Sequence, residues 1–280
     1  MVDNKTKSED ISYLSNYLKK YVNIINQEYG SYIPITRKIE LNRIDNYEDE
    51  IKIENTGTIT LYYYDSDKKI HLPELAYSVI DEFKKNELYG IEPNHLPSNG
   101  KDLIDNDNTF EDYIEHAIKA GISPRKYFEE NLLHESMHFC GSSGSDPISE
   151  GLTELRTREL AKKYGLLTSG CGYPKEVKLV RKIEEVFGRD VCSKILFEKG
   201  RRNKKEIIKE ELGEKEANLF EEISSCANRT FHDYINKSYN GLDGPMKKAQ
   251  TYSNIDYSEA YSLIENYKKE SGNSVGQNNK

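Results

Sequence analysis

Ser123-Pro124-Arg125-Lys126-Tyr127-Phe128-Glu129-Glu130-Asn131-Leu132-Leu133-His134-Glu135-Ser136-Met137-His138-Phe139-Cys140-Gly141, then Asp146-Pro147-Ile148-Ser149-Glu150-Gly151-Leu152-Thr153-Glu154, reads as two capped helices joined by a short turn. Serine before proline is a helix start: the hydroxyl caps, and proline fills the first helical position, where no N–H is needed. Gly141 is the matching stop. Asp146-Pro147 repeats the start signal, and a second helix runs from there to about Lys163, with Gly165 beyond its end. The Gly/Ser turn between them lays the two helices antiparallel.

In the first helix Tyr127, Asn131, His134 and His138 share one face, while Phe128, Leu132, Leu133 and Met137 cover the surface that packs on a core. Histidines at i and i+4 can bind a single ion through their imidazoles. The glutamate after the first histidine lies about 100° further round the helix and reaches a water on that ion. Zinc acidifies such a water toward a pKa of about 7 and polarises a carbonyl, while a carboxylate takes the proton. His134 and His138 are therefore candidate metal ligands and Glu135 the candidate general base, with one Zn2+ per chain.

A catalytic zinc normally takes three protein ligands. Glu150 lies one turn into the second helix, near the turn it shares with His138, and is the candidate third ligand. Glu150, Glu154 and Arg158 fall at i, i+4 and i+8. Glu154 then serves as a carboxylate that orients a histidine N–H; the plainer alternative is a solvated Glu154–Arg158 pair. Peptide hydrolysis also needs a donor to the developing oxyanion. Tyr173, after a glycine turn in Cys171-Gly172-Tyr173-Pro174, is the candidate, with His232 and the late tyrosines as others.

His134-Glu135-Ser136-Met137-His138 followed by Ser149-Glu150-Gly151-Leu152-Thr153-Glu154 resembles the gluzincin branch of zinc metallopeptidases, in which a glutamate helix supplies the third ligand. The resemblance implies a zincin-like fold: an upstream twisted sheet, an active-site helix and a mostly helical lower subdomain. Its motifs cover residues 123–165. Only 11 residues separate His138 from Glu150, as in compact members of that branch. A closely following third histidine, the metzincin pattern, is missing.

The flanking sequence agrees in layout. Ile11, Leu14, Leu18, Val22 and Ile25 mark an amphipathic helix that Gly30 stops. Ile51–Glu54, Thr58–Tyr64 and Lys69–Leu72 read as strands, the last two a hairpin about the turn Asp65–Lys68. Glu74–Leu88 and Phe110–Ala120 read as helices on either side of a turn-rich segment, Gly90–Asn108, long enough for a rim or lid. After residue 172 the pattern is helical: Pro174–Phe187, Lys204–Leu212, Glu214–Tyr234 and Tyr257–Tyr267. Strands early and helices late predict an α+β fold. The expected division is 1–141, an α+β part ending in the active-site helix; 142–270, helical; and 271–280, a polar, disordered tail.

Forty-eight acidic against 40 basic side chains, a net charge of −8, argue against nucleic acid as a partner, which calls for a basic stripe. A mean hydropathy of −0.81 and the lack of any apolar run near 20 residues exclude a membrane span. The polar start, Met1–Asp10, offers no apolar leader, so the expected location is the cytoplasm. Four scattered cysteines fit buried, reduced thiols, with a Cys140–Cys171 bridge left open. The expected function is peptide-bond hydrolysis on a peptide or protein substrate. The alternative from another class is a catalytically idle zincin fold used as a binding or regulatory module.

Overall fold

The stripe read from the first helix is a buried seam. In the computed structural model, which describes residues 4–54, 61–64, 66–74, 124–142, 144, 146–166, 173–198, 204–239 and 255–277, helix α1 (Asn4–Tyr29) buries Leu14, Leu18, Tyr21, Val22 and Ile25. A short helix α2 (Ile35–Leu41) and a 3-10 turn (Tyr47–Glu50) follow; neither was read from the sequence, since one or two turns are too short to display a period.

Three strands form a mixed sheet, β1 (Ile51–Glu54), β2 (Tyr62–Tyr64) and β3 (Lys69–Pro73), in the order β1-β3-β2. β1 pairs parallel to β3 with Ile51 opposite Ile70, and β2 pairs antiparallel with Tyr63 opposite Ile70. The hairpin is as expected from the sequence. Its turn places Lys68 in the left-handed region at φ 58°.

The long helix with the histidines, α3 (Pro124–Phe139), begins at the proline as read. Phe128, Leu132, Leu133 and Met137 are fully buried, each worth about 1.5–3 kcal/mol over exposure. α3 packs on α1 and on the β2–β3 hairpin. Polar contacts pin both ends of it. The Tyr13 hydroxyl on α1 donates to the buried Glu129 carboxylate at 2.6 Å. At the other end the Arg37 Nε–H donates to the Phe139 carbonyl at 2.7 Å, with its guanidinium 4.7 Å over the Phe139 ring. That cation answers an orphan carbonyl of the last helical turn and the negative end of the helix dipole.

Helix α4 (Pro147–Tyr164) starts on the expected cap: Asp146 Oδ1 accepts the Ser149 N–H at 3.0 Å. Its end is tied back to α1 by Lys163 and Tyr164, both donating to Glu28. The helices α5 (Pro174–Phe187), α6 (Arg189–Phe197), α7 (Lys204–Glu211), α8 (Glu214–Tyr239) and α9 (Ser258–Gln277) complete the described chain. Val177, Val180, Ile183 and Phe187 of α5 are buried as the period predicts, and Phe187 meets Phe220 of α8 edge to face at 5.7 Å. α9 runs well past Tyr267, where the sequence reading ended it.

The chain divides into two compact units, Met1–Ser142 with Thr153–Gly172, and Ser143–Leu152 with Tyr173–Lys280; the division passes through α4, which is continuous across it. In the second unit the first turn of α4 is anchored by Lys204 of α7, which donates to Asp146 Oδ2 at 2.7 Å. A small mixed sheet within a mostly helical chain is an α+β fold. Among the described residues no helix is long and apolar enough to cross a membrane. Cys140 is a free, buried thiol, its pKa pushed up to about 12 by desolvation. The segment 75–123, with the expected lid and two of the expected helices, lies outside the described residues, as do 58–60 and the Cys171-Gly172 turn.

Candidate metal centre

Two imidazoles one turn apart on α3 turn their Nε2 atoms toward each other. His134 Nε2 and His138 Nε2 lie 3.2 Å apart, and these histidines and Glu150 each present a ligand atom within 4.8 Å of the others. Two nitrogens each bound about 2.05 Å from one tetrahedral ion stand about 3.3 Å apart. The spacing and the two-nitrogen, one-carboxylate donor set both fit zinc. His138 is buried, while His134 and Glu150 are half-buried, as suits a centre with one side open.

The ring orientations follow from what the other nitrogens touch. His134 Nδ1 lies 2.9 Å from Glu154 Oε2, and Arg158 Nε donates to Glu154 Oε1 at 2.8 Å. Glu154 is only 3% exposed. Burial, the largest influence on it, pushes its pKa up; the Arg158 charge and the His134 bond together outweigh this and leave the carboxyl below its ordinary value. An ionised Glu154 holds the proton on His134 Nδ1 and leaves Nε2 a lone pair for a metal. The alternative of a solvated surface pair is therefore wrong: Glu154 and Arg158 are both buried. Glu150 precedes Glu154 by one turn of the same helix, so the continuity of α4 places it on the same face.

His138 is backed differently. Its Nδ1 lies 2.9 Å from Ser142 Oγ, and Oγ1 of Thr153 on α4 lies 3.3 Å from that same oxygen. Ser142 is fully buried. It arrives there through the helix stop. Gly141 has φ 114°, its N–H bonds the His138 carbonyl at 2.9 Å, and the Ser142 N–H bonds the Met137 carbonyl at 2.9 Å. This is the Schellman closure, and it folds the chain back over the last turn.

The expected base, Glu135, is half-buried and accepts the Tyr63 N–H at Oε2, 2.7 Å away. Among the described residues β2 lies at an edge of the sheet, and this N–H is spent on Glu135 and not on β3. The Tyr63 ring meets Phe139 edge to face at 6.1 Å, seating the strand on α3.

Gly151, next to Glu150, makes a close approach. An added Cβ would stand 2.7 Å from the Glu176 carbonyl oxygen in the first turn of α5. Tyr173 opens that same turn, in the left-handed conformation at φ 53°, and its carbonyl accepts the Val177 N–H at 2.8 Å. The structure thus brings His134, His138 and Glu150 together, sets Glu154 behind His134, and stations Tyr173 at the head of α5. His232 is exposed on α8 and belongs to no ligand group among the described residues.

Sequence reasoning missed Ser142, Thr153 and the Tyr63 N–H. The first could be sought at the position after a C-terminal glycine; a main-chain donor leaves no sequence signal. Neither family models nor curated proteins nor solved structures give a match to this chain.

Proposed function

We propose that this chain is a zinc metallopeptidase of gluzincin type on a zincin-like fold, with His134, His138 and Glu150 holding one Zn2+ and Glu135 as general base. The observation that carries the reading is the meeting of two Nε2 atoms and the Glu150 carboxylate within 4.8 Å on two successive helices. Bound there, zinc would acidify a water and polarise the scissile carbonyl.

The remaining work falls to the chain's own groups. The Glu135 carboxylate takes the proton of the attacking water and delivers it to the leaving amine. Glu154 and Ser142 keep the ring protons on Nδ1 of the two histidines, so that both rings act as neutral donors. The outward edge of β2 is the place for an extended substrate backbone, which would take the Tyr63 N–H from Glu135 and leave that carboxylate free to act as base. Tyr173 supplies a hydroxyl to the oxyanion; a non-glycine residue held in the left-handed region is the kind of strain that collects at working sites.

The test is metal analysis of the purified protein together with a peptide-library cleavage assay on wild type and Glu135→Gln. About one zinc per chain, cleavage by wild type and a loss of roughly 100-fold or more in Glu135→Gln with zinc retained are expected. Cleavage unchanged in Glu135→Gln would refute the assignment of the base. Zinc bound with no peptide cut would replace the peptidase with the binding-module reading.

A further inference from the structure

The two histidines of the centre are held by chemically unlike partners, a buried carboxylate behind His134 and a buried hydroxyl behind His138. We propose that Ser142, itself held by Thr153, is the positioning residue that fixes the ring and tautomer of His138, and that the helix-stopping turn at Gly141 exists in this chain to put it there. The inference rests on the metal-centre reading and deepens it.

The argument is a proton inventory. For His138 to offer Nε2 to an ion, its single ring proton must sit on Nδ1, which then needs an acceptor in a place where water has no access. With an ion on Nε2, Ser142 Oγ at 2.9 Å would be that acceptor. A hydroxyl oxygen has two lone pairs. One takes the Nδ1–H, and the Ser142–Thr153 hydroxyl pair, 3.3 Å apart, then carries the serine's own proton toward Thr153 Oγ1. Ser142 is 0% exposed and Thr153 is 0% exposed, so neither bond is shared with bulk solvent. Three further contacts set the position of Ser142: its own N–H on the Met137 carbonyl, the Gly141 N–H on the His138 carbonyl, and Arg37 packed against Gly141. The cap of α3 therefore doubles as the mount for its last ligand.

A neutral hydroxyl polarises an imidazole less than a buried carboxylate does, so His138 is the weaker donor of the two. The experiment measures zinc affinity of the full chain by competition with a chelator, for wild type, Ser142→Ala and Thr153→Val. Alongside it, long-range proton–nitrogen NMR of the imidazole rings is read in the zinc-loaded protein. Ser142→Ala is expected to lower zinc affinity about 10–100-fold, with the metal-free circular dichroism spectrum unchanged. The His138 Nδ1–H signal is expected to be slow in solvent exchange in wild type and fast or lost in Ser142→Ala, with the His134 signal unmoved. Thr153→Val is expected to lose less, because it removes only the bond that steadies the serine. A Ser142→Ala protein that binds zinc as wild type does, or keeps the His138 signal, overturns the assignment. So does one whose only change is a lower metal-free melting temperature. Failure of wild type to bind zinc at all would bring down the metal-centre reading itself, and this outcome is seen in a different sample.

Discussion

Replacing Gly151 by alanine sets two opposed effects against each other. Alanine is the better helix former by about 1 kcal/mol, and Gly151 lies inside α4, where nothing in its backbone conformation demands glycine. Against this, the new Cβ would stand 2.7 Å from the Glu176 carbonyl oxygen, 2.8 Å from its carbonyl carbon and 3.0 Å from its Cβ. Ordinary contact begins near 3.4 Å, so a gap of about 0.7 Å must open. No flexible side-chain tip can swing aside, because the nearest two atoms are backbone. Nor is the α5 turn loose: the buried Tyr257 hydroxyl donates to Glu176 Oε1 at 2.5 Å.

Overpacking of this kind costs about 1–3 kcal/mol, so the net stability loss after the helix gain is about 0–2 kcal/mol. The larger effect falls on Glu150, the neighbouring residue. Metal–ligand distances tolerate about ±0.2 Å, so a displacement of about 0.7 Å in this turn is expected to weaken zinc at least 10-fold. Chelator competition gives the affinity and calorimetry the melting temperature. A Gly151→Ala protein that melts higher and binds zinc unchanged would show that the close approach to α5 does not set the ligand, and the reasoning would fail.

Two other perturbations test the frame around the centre. Gly141→Ala meets no atom closer than Arg37 Cγ at 3.5 Å, so its cost is torsional, about 1–2 kcal/mol for a side chain at φ 114°. Because the turn carries Ser142, zinc affinity should fall with it in the same chelator assay. In the sheet, a hydrogen bond from Lys52 and then one from His71 lower Glu54 to about 2 from its ordinary 4.5. A carboxyl depressed in the folded state contributes stability that is full above pH 4.5 and lost as pH falls toward about 2. Urea titrations across that window should show wild type losing stability more steeply with acid than Glu54→Gln; equal slopes would remove Glu54 from the acid response.

The sequence carried α3 and α4 nearly to the residue because their ends are written in local chemistry: proline after a capping residue at each start, glycine after each stop. The ligand face followed from spacing alone, since i and i+4 on a helix admit one geometry. Three things were not legible. The parallel pairing of β1 with β3 depends on how a chain of intervening residues returns, and local propensity says nothing of it. Arg158 looked like a surface partner because its charge pairs so simply with Glu154; burial is a property of what packs over a helix, not of the helix's own period. Ser142 became visible only once the Schellman turn had reversed the chain.

The polar partners of the centre differ greatly in how far along the chain they must search for each other. His134 meets Glu154 across 20 residues, whereas Glu135 meets the Tyr63 N–H across 72. Closing the longer loop costs about 1 kcal/mol more in chain entropy, and long-range contacts form later in folding. The proposed metal ligands and their supports are thus nearer to one another along the chain than Glu135 is to the strand that reaches it, and on loop length alone they are the earlier to meet. In the proposed peptidase, metal loading would then come before catalytic competence.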